Sequence, residues 1–530
     1  MNRPARSLTA AAFILLALVL GAACSPSPTE PLTLRYGLTL APTGIDPHLN
    51  ASSELGIPLS SVYDTLVFLD PATGEFVPGL AERWEISPDG RTYTFHLRED
   101  VVFHDGTPFN AEAVRANFEY TLDPENHSQK AASMLGPFES VEIVDESTVA
   151  LHLSEPFAPL LDSLSQVYLG MASPSALEQW GPADYQFHQV GTGPFRFVEY
   201  IPNDHLTLAR NPDYAWGPSI YLASTASIER IVFTFYEAEP TRVLALQGGE
   251  VDVMGEVPHR DAARLAESGG FALTPVAIPG QPLQYFFNTR RPPTDDLPTR
   301  QALLLAVDRE SIVRTIFGDY SPVAQGLLSA VTPGFSPDVS FPSFDPEAAR
   351  DLLVQSGWAD ADGDGVLSRD GQPLTIALVA PNWGSNPDVA QLLQAAWEQL
   401  GAEVTLQVAA GFGPLKEIQA SGAYNAIGLN FFGTDPDLLR GFYASDGLYN
   451  WSGIADARID DLLRQASQLP LDPEGRRERH RQVAELVRDQ ALVLPLRDYV
   501  DLVVSSNRVQ GLRFSALGWF PHLIDLRLEP

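Results

Sequence analysis

Cysteine is nearly missing from this 530-residue chain. Cys24 is the only one, so no disulfide can form within the chain and no thiol nucleophile or thiolate metal cage is available beyond that position. Lysine is almost as scarce, with Lys130 and Lys416 alone, and 34 basic residues stand against 67 acidic ones for a formal charge of −33. A field of that sign repels nucleic acid and anionic lipid, and no nucleic-acid partner is expected. Beyond the first residues no run is long and apolar enough to span a bilayer. The spacings G-x-S-x-G, H-E-x-x-H and C-x-x-C do not occur and the ten histidines stand singly, so no set of nucleophile, base and stabiliser is legible and an enzyme is not expected. Core-forming residues are plentiful: 45% hydrophobic against 19% charged is ordinary for a globular chain, and the length allows about three domains.

The N-terminus carries Arg3 and Arg6, then an uncharged run from Leu8 to Leu20, then Gly21-Ala-Ala-Cys24. This has the form of a secretory signal, too short for a spanning helix. It resembles a bacterial lipoprotein signal, in which the cysteine is lipidated, although such signals place Leu three residues before the cysteine and here Leu20 is one place earlier. A buried structural cysteine is the other reading. Residues 1–23 are therefore expected to be a signal peptide and the Ser/Pro-rich 24–31 a flexible tether.

The stretch Pro373 to Leu438 is the most informative about organisation. Leu374–Val379 is a short apolar strand, Glu403–Val408 alternates with period two, and Tyr424–Phe432 is a mostly apolar strand. Between the first two, Val389, Leu392, Leu393, Ala396, Trp397 and Leu400 recur at helical spacing, with Asn386 as the expected N-cap, Pro387 at the first position and Gly401 as the stop. A shorter helix is expected over Pro414–Ala420. Such a β-α-β-α-β unit implies parallel strands with right-handed crossings. Ligands then sit beyond the strands' carboxyl ends, here Ala380–Trp383 and Phe431–Asp435.

Elsewhere Leu32–Leu40 alternates like a first strand and breaks at the turn-rich Ala41–His48. The runs flanking Pro88-Asp-Gly90 predict a hairpin, and Asn110 predicts a helix cap. His104-Asp105 has no third ligand at usable spacing and reads as a turn. The arginines of Glu474–Arg481 alternate with acids on an expected helix and read as a solvated face. Asp360, Asp362 and Asp364, with Gly365 at the sixth place, copy the start of a calcium loop. The twelfth place is Gly371 where a bidentate Glu belongs, so Ca2+ is the weaker reading, a helix-to-strand turn the stronger, and no other cofactor is expected.

Several runs together resemble the family 5 extracellular solute-binding proteins of ABC importers: Ala81–Gly90, Phe103–Phe109, Gly191–Phe195, Leu208–Tyr214, Gly249–Val253, Tyr285–Asn288, Ala306–Glu310 and Thr434–Asp437. Each is weak alone, but they occur in order over nearly the whole chain. The resemblance implies an α/β, two-lobed periplasmic-binding-protein-like fold of the larger three-domain type, with mixed sheets and flanking helices. Domain I would comprise 32–58, 189–278 and 499–530, domain II 59–188 and domain III 279–498, with a solute enclosed between domains I and III. The expected ligand contacts are Gly44, Ile45, Tyr285, Asn382, Trp383, Phe431, Phe432, Thr434 and Asp435.

The function implied is a monomeric, lipid-anchored, extracytoplasmic protein that hands a peptide or other organic solute to a permease and ATPase complex. A receptor that presents ligand to a sensor and a secreted hydrolase are the alternatives. Dipeptide binders of the family pair the ligand amine with an Asp three residues before the Asp-Pro and its carboxylate with an Arg at a strand end. Those places fall here on Phe432 and Ala380, so a simple dipeptide is not expected.

Overall fold

The computed structural model describes residues 31–529; Cys24, the expected signal and most of the tether lie outside them. Three large sheets organise the chain. The first has seven strands in the order Phe271–Ala277, Val500–Ser506, Val253–Met254, Thr33–Leu38, Arg230–Phe235, His205–Arg210, Phe195–Ile201. Thr33–Leu38 runs parallel to both its neighbours, and every other pairing is antiparallel. The second, of four antiparallel strands, contains the expected hairpin Ala81–Ile86 with Thr92–Leu97, extended by Thr148–Leu153 and Phe138–Asp145. Gly90, at φ 70°, closes its turn by donating to the Ser87 carbonyl at 2.8 Å. The expected cap also forms: Asn110 accepts from Ala113 N–H at 3.0 Å and starts the helix Ala111–Leu122.

The third sheet holds the β-α-β-α-β segment. Glu403–Ala409, Thr375–Pro381 and Ala426–Phe432 run parallel, as the crossing helices require. Two antiparallel strands, Gly280–Phe287 and Val493–Arg497, complete it and make it mixed. Helix Asn386–Leu400 covers one face, where Val389, Leu393 and Trp397 pack with Leu378 and Phe287. On the other face Val379, Phe286 and Ile427 pack with Val483 and Val487 of helix Pro473–Asp489. Neighbouring strand residues thus enter opposite cores, which is why Gly280–Phe287 is buried along its whole length and carries no polar alternation.

One local expectation is corrected. The N-cap of Asn386–Leu400 is Ser385, in the left-handed region at φ 58°, and not Asn386, whose buried side chain donates back to the Trp383 carbonyl at 2.6 Å. Having spent its amide there, Asn386 belongs to the first turn.

The chain crosses between the first and third sheets twice, at Ile278–Pro279 and at Asp498–Tyr499. The crossings lie side by side, with Ile278 N–H donating to the Tyr499 carbonyl at 2.9 Å. Among the described residues no helix is long and apolar enough to cross a membrane.

Candidate functional site

The site is built where these crossings meet the strand end at Phe432. Gly280 takes φ 126°, and a Cβ there would stand 2.3 Å from the Phe431 carbonyl oxygen, so only glycine lets the crossing strand lie this close to Phe431–Phe432. Phe432 faces two rings of the first sheet's lobe, Tyr499 and Trp519, each with centroids 5.0 Å away. Trp519 rides on a loop closed by Ser515 N–H donating to the Phe520 carbonyl at 2.8 Å. Three rings from two lobes therefore meet directly.

Beneath Tyr499 lies a cluster of acids, Glu54 and Asp501 buried and Glu256 partly exposed. The Tyr499 hydroxyl donates to Glu256 Oε1 at 2.7 Å, Thr39 Oγ1 donates to Glu256 Oε2 at 2.8 Å, and Glu256 N–H donates to Asp501 Oδ1 at 2.6 Å. Thr39 also bonds Glu54. Burial, reinforced by Glu256, pushes the carboxyls of Glu54 and Asp501 up to about 7. Arg497 stacks over Phe317 at 3.7 Å and Tyr499 at 4.4 Å, and its burial pulls the guanidinium down to about 10. These groups fix the ring of Tyr499 from below.

Next to Phe432, Thr434 and Asp435 take different roles. Thr434 bonds Asp162 of helix Leu160–Ser163, which packs with the four-stranded sheet. Asp435 forms a two-pronged ion pair with Arg476, both partners about 15% exposed (14% and 15%). Burial, then the nearby Asp435, pushes the Asp162 carboxyl up to about 7. Further out the same lobes touch where Ala158 N–H donates to the Ser467 carbonyl at 2.7 Å and Gln468 Nε2 donates to Glu155 Oε2 at 2.8 Å.

A narrow cleft of about 60 Å³ opens beside Thr434. Its walls come from Tyr63 and Phe68, from Tyr221, and from the loop Ser515–His522.

The residues singled out from sequence fall in several places. Thr434 lines the cleft and Phe432 meets the opposite lobe. Phe431 turns the other way, onto Phe442 and Tyr449 at 5.3 and 5.4 Å, and half-buried Trp383 packs against the same core. Asn382 is exposed and Tyr285 fully buried. Gly44 and Ile45 are buried, the Ile45 carbonyl accepting from Gln189 Nε2 at 3.0 Å. Ala380 is fully buried. Sequence reasoning did not find Tyr499, Trp519, His522, Asp162 or Arg476; the aromatic run Trp519-Phe520 between turn residues was the one local signal. Arg476 departs from the solvated reading given to its helix face, because its partner Asp435 is 41 residues away.

Asp360, Asp362 and Asp364 are exposed, with potential ligand oxygens within 4.8 Å of one another. Their carboxylates already accept from the loop's own backbone: Asp360 from Gly363 N–H at 2.8 Å and Gly365 N–H at 3.2 Å, and Asp364 from Val366 N–H at 2.8 Å. His104 Nε2 bonds the Gly193 carbonyl at 2.9 Å, and Asp105 accepts from Thr107 and Ser173, so this pair ties loops together.

Residues 75–453 match the family described as bacterial extracellular solute-binding proteins, family 5 middle. The chain belongs to this family. Two curated members are 27% identical to it: the dipeptide-binding protein of Escherichia coli K12, aligned over 97% of this chain and 98% of its own length, and the nickel-binding periplasmic protein of the same strain, over 94% of each. Among solved structures, NikA from Brucella suis in complex with Fe(III)-EDTA superposes with a TM-score of 0.83 at 25% identity, covering 94% of this chain and 100% of its own. This family 5 chain is therefore a two-lobed solute-binding protein and not an enzyme.

Proposed function

We propose that this chain is the solute-receiving component of an ABC importer: an extracytoplasmic lipoprotein that captures a peptide or other organic solute between its lobes and delivers it to a membrane permease. The observation that carries the reading is the paired crossing at Ile278 and Tyr499, beside which surfaces of both lobes meet at Phe432, Tyr499 and Trp519. Two adjacent strands can flex together as a hinge, and a solute that contacts both lobes favours the closed form through its differential affinity.

The relatives name different ligands at equal identity, so they do not choose one for this chain. A dipeptide held by both termini is disfavoured. Phe432 and the buried Ala380 offer no charge at the two anchor places, and Asp435, the nearby carboxylate, is engaged by Arg476. Enclosing an ammonium or carboxylate without a partner costs several kcal/mol. A thermal-shift screen tests this, since saturating ligand raises the melting temperature by mass action. A large, saturable shift with ordinary dipeptides, lost when either end is capped, would refute it. Anchoring is assigned to Cys24, and membrane fractionation of Cys24→Ala tests it: release into the soluble fraction is expected, and retention equal to the parent's would refute it.

A further inference from the structure

Thr39, at the end of the first strand, sits between two carboxyl groups. Its Oγ1 is hydrogen-bonded to Glu54 Oε1 and stands 2.8 Å from Glu256 Oε2. A hydroxyl has one proton to donate, so it serves only one of two carboxylates, and the second contact needs a proton brought by the other carboxyl. The surroundings decide which acid brings it. Glu256 accepts from the Tyr499 hydroxyl at 2.7 Å, has Arg242 Nη1 3.8 Å from its Oε2 and keeps a side chain that is 28% exposed, all of which suit an anion. Glu54 is 7% exposed, with Glu256 as its charged neighbour. Its Oε2 accepts from the Thr39 and Leu40 N–H groups at 3.0 and 2.9 Å, which leaves Oε1 to carry a proton toward Thr39.

This chain of hydrogen bonds ends on the paired crossing. Glu256 takes φ 48°, a conformation rare outside glycine, and is held in it by Asp501 Oδ1 on its N–H at 2.6 Å and Arg242 Nη1 on its carbonyl at 3.1 Å. Its carboxylate holds the Tyr499 hydroxyl, and the Tyr499 carbonyl holds Ile278 N–H. The titratable and charged groups around Glu54 and its chain are Glu256, Asp501, Tyr36 and Tyr499, with Arg242 and Arg497 as the cations.

We propose that a proton held on Glu54 locks the hinge: it lets Thr39 bridge Glu54 to Glu256, Glu256 fixes Tyr499, and Tyr499 fixes Ile278. Loss of that proton leaves two carboxylates competing for one hydroxyl, and the crossings loosen. The assignment rests on the two-lobed solute-binding reading and adds a control to its hinge. Burial, then Glu256, puts the Glu54 carboxyl at about 7 where 4.5 is ordinary. The locked hinge binds the proton more tightly than a locally opened one in which Glu54 is hydrated. The lock is therefore complete below the ordinary carboxylate range and is lost as pH rises through about 7.

Amide hydrogen exchange of the mature, solute-free protein tests this, because the Thr39 and Leu40 N–H groups rest on Glu54 and the Ile278 N–H rests on Tyr499. Corrected for the intrinsic rate, all three should exchange about tenfold faster at pH 8 than at pH 6. An Asp162→Asn background keeps the lobe contact at Thr434 from titrating in the same range. Glu54→Gln, whose amide donates to Thr39 as the protonated acid does, should exchange slowly at both pH values, whereas Asp501→Asn should keep the step. Thr39→Val removes the bridging hydroxyl, so Ile278 should be fast at both pH values while Leu40 keeps its step. The inference is overturned if the parent shows no step, if the step survives Glu54→Gln, or if the Ile278 step survives Thr39→Val. Scattering with a panel of oligopeptides and neutral saccharides is read separately. Compaction without an exchange step would overturn the lock and leave solute capture intact, and a step without compaction by any solute would support the lock and count against capture.

Discussion

Asp162 is expected to make lobe closure sensitive to pH. It sits on the lobe of the first two sheets and bonds Thr434 on the other. The groups facing it are Gln166 and Lys130 from its own lobe, and Asp435 with Arg476 from the other. Lys130, stacked over Tyr168 at 3.7 Å and pulled down to about 8 by burial, sits close enough to favour the Asp162 anion, but burial and Asp435 outweigh it. The carboxyl stands at about 7 where 3.8 is ordinary, which disfavours its anion by on the order of 4 kcal/mol. The other lobe contributes Asp435, which raises the pKa, and the Thr434 hydroxyl and Arg476, which lower it, Asp435 being the largest of the three, so the share linked to closure is only a part of that total. The closed form is therefore expected to bind the proton more tightly than an open form that lacks Asp435. Closure is therefore fully favoured below the ordinary carboxylate range and loses this contribution as pH rises through about 7. With donor and acceptor dyes on the two lobes, the closed fraction should fall between pH 5 and pH 8. In Asp162→Asn, which has no proton to lose and still accepts from Thr434, the slope should vanish. A slope unchanged in that variant, or a closed fraction that rises with pH, would refute the assignment.

Arg476→Ala strands Asp435 in a half-closed polar corner and should cost about 3–5 kcal/mol in thermal unfolding, whereas exchanging both partners for apolar residues of similar volume should recover most of it. Phe432→Ala removes the ring that meets both Tyr499 and Trp519 and should weaken solute binding by about 1–3 kcal/mol; unchanged affinity would move the contact surface elsewhere. The loop at Asp360, Asp362 and Asp364 already spends its carboxylates on backbone N–H groups and has Gly371 at the twelfth place, so neither millimolar calcium nor a chelator should move the melting temperature; a saturable rise with calcium would assign it a cation.

What could be read from sequence divides along the distance between partners. The strands and helix between Thr375 and Ala409 were legible because their signals are local: period-two alternation at Glu403–Val408, helical spacing from Val389 to Leu400, a stopping glycine. The antiparallel strands that complete the same sheet come from Gly280–Phe287 and Val493–Arg497, and strand pairing over such separations leaves no local trace. The site shows the same division. Phe432 and Thr434 lie at a strand end that topology marks as a ligand corner. Their partners do not announce themselves: Asp162 is 272 residues from Thr434, and Arg476 lies among alternating acids that look solvated one turn at a time. His522 is a lone histidine whose burial against Tyr221, with Nε2 unpaired, is visible only in the fold, as is the burial of His480 with both ring nitrogens unpaired.

Small-angle scattering of the mature chain, with and without the solute that gives the largest thermal shift, bears most directly on capture between lobes. A smaller radius of gyration with the solute bound is expected, as the lobes close about Ile278 and Tyr499 and bring Phe432 onto Trp519. Tight binding with an unchanged envelope would contradict it.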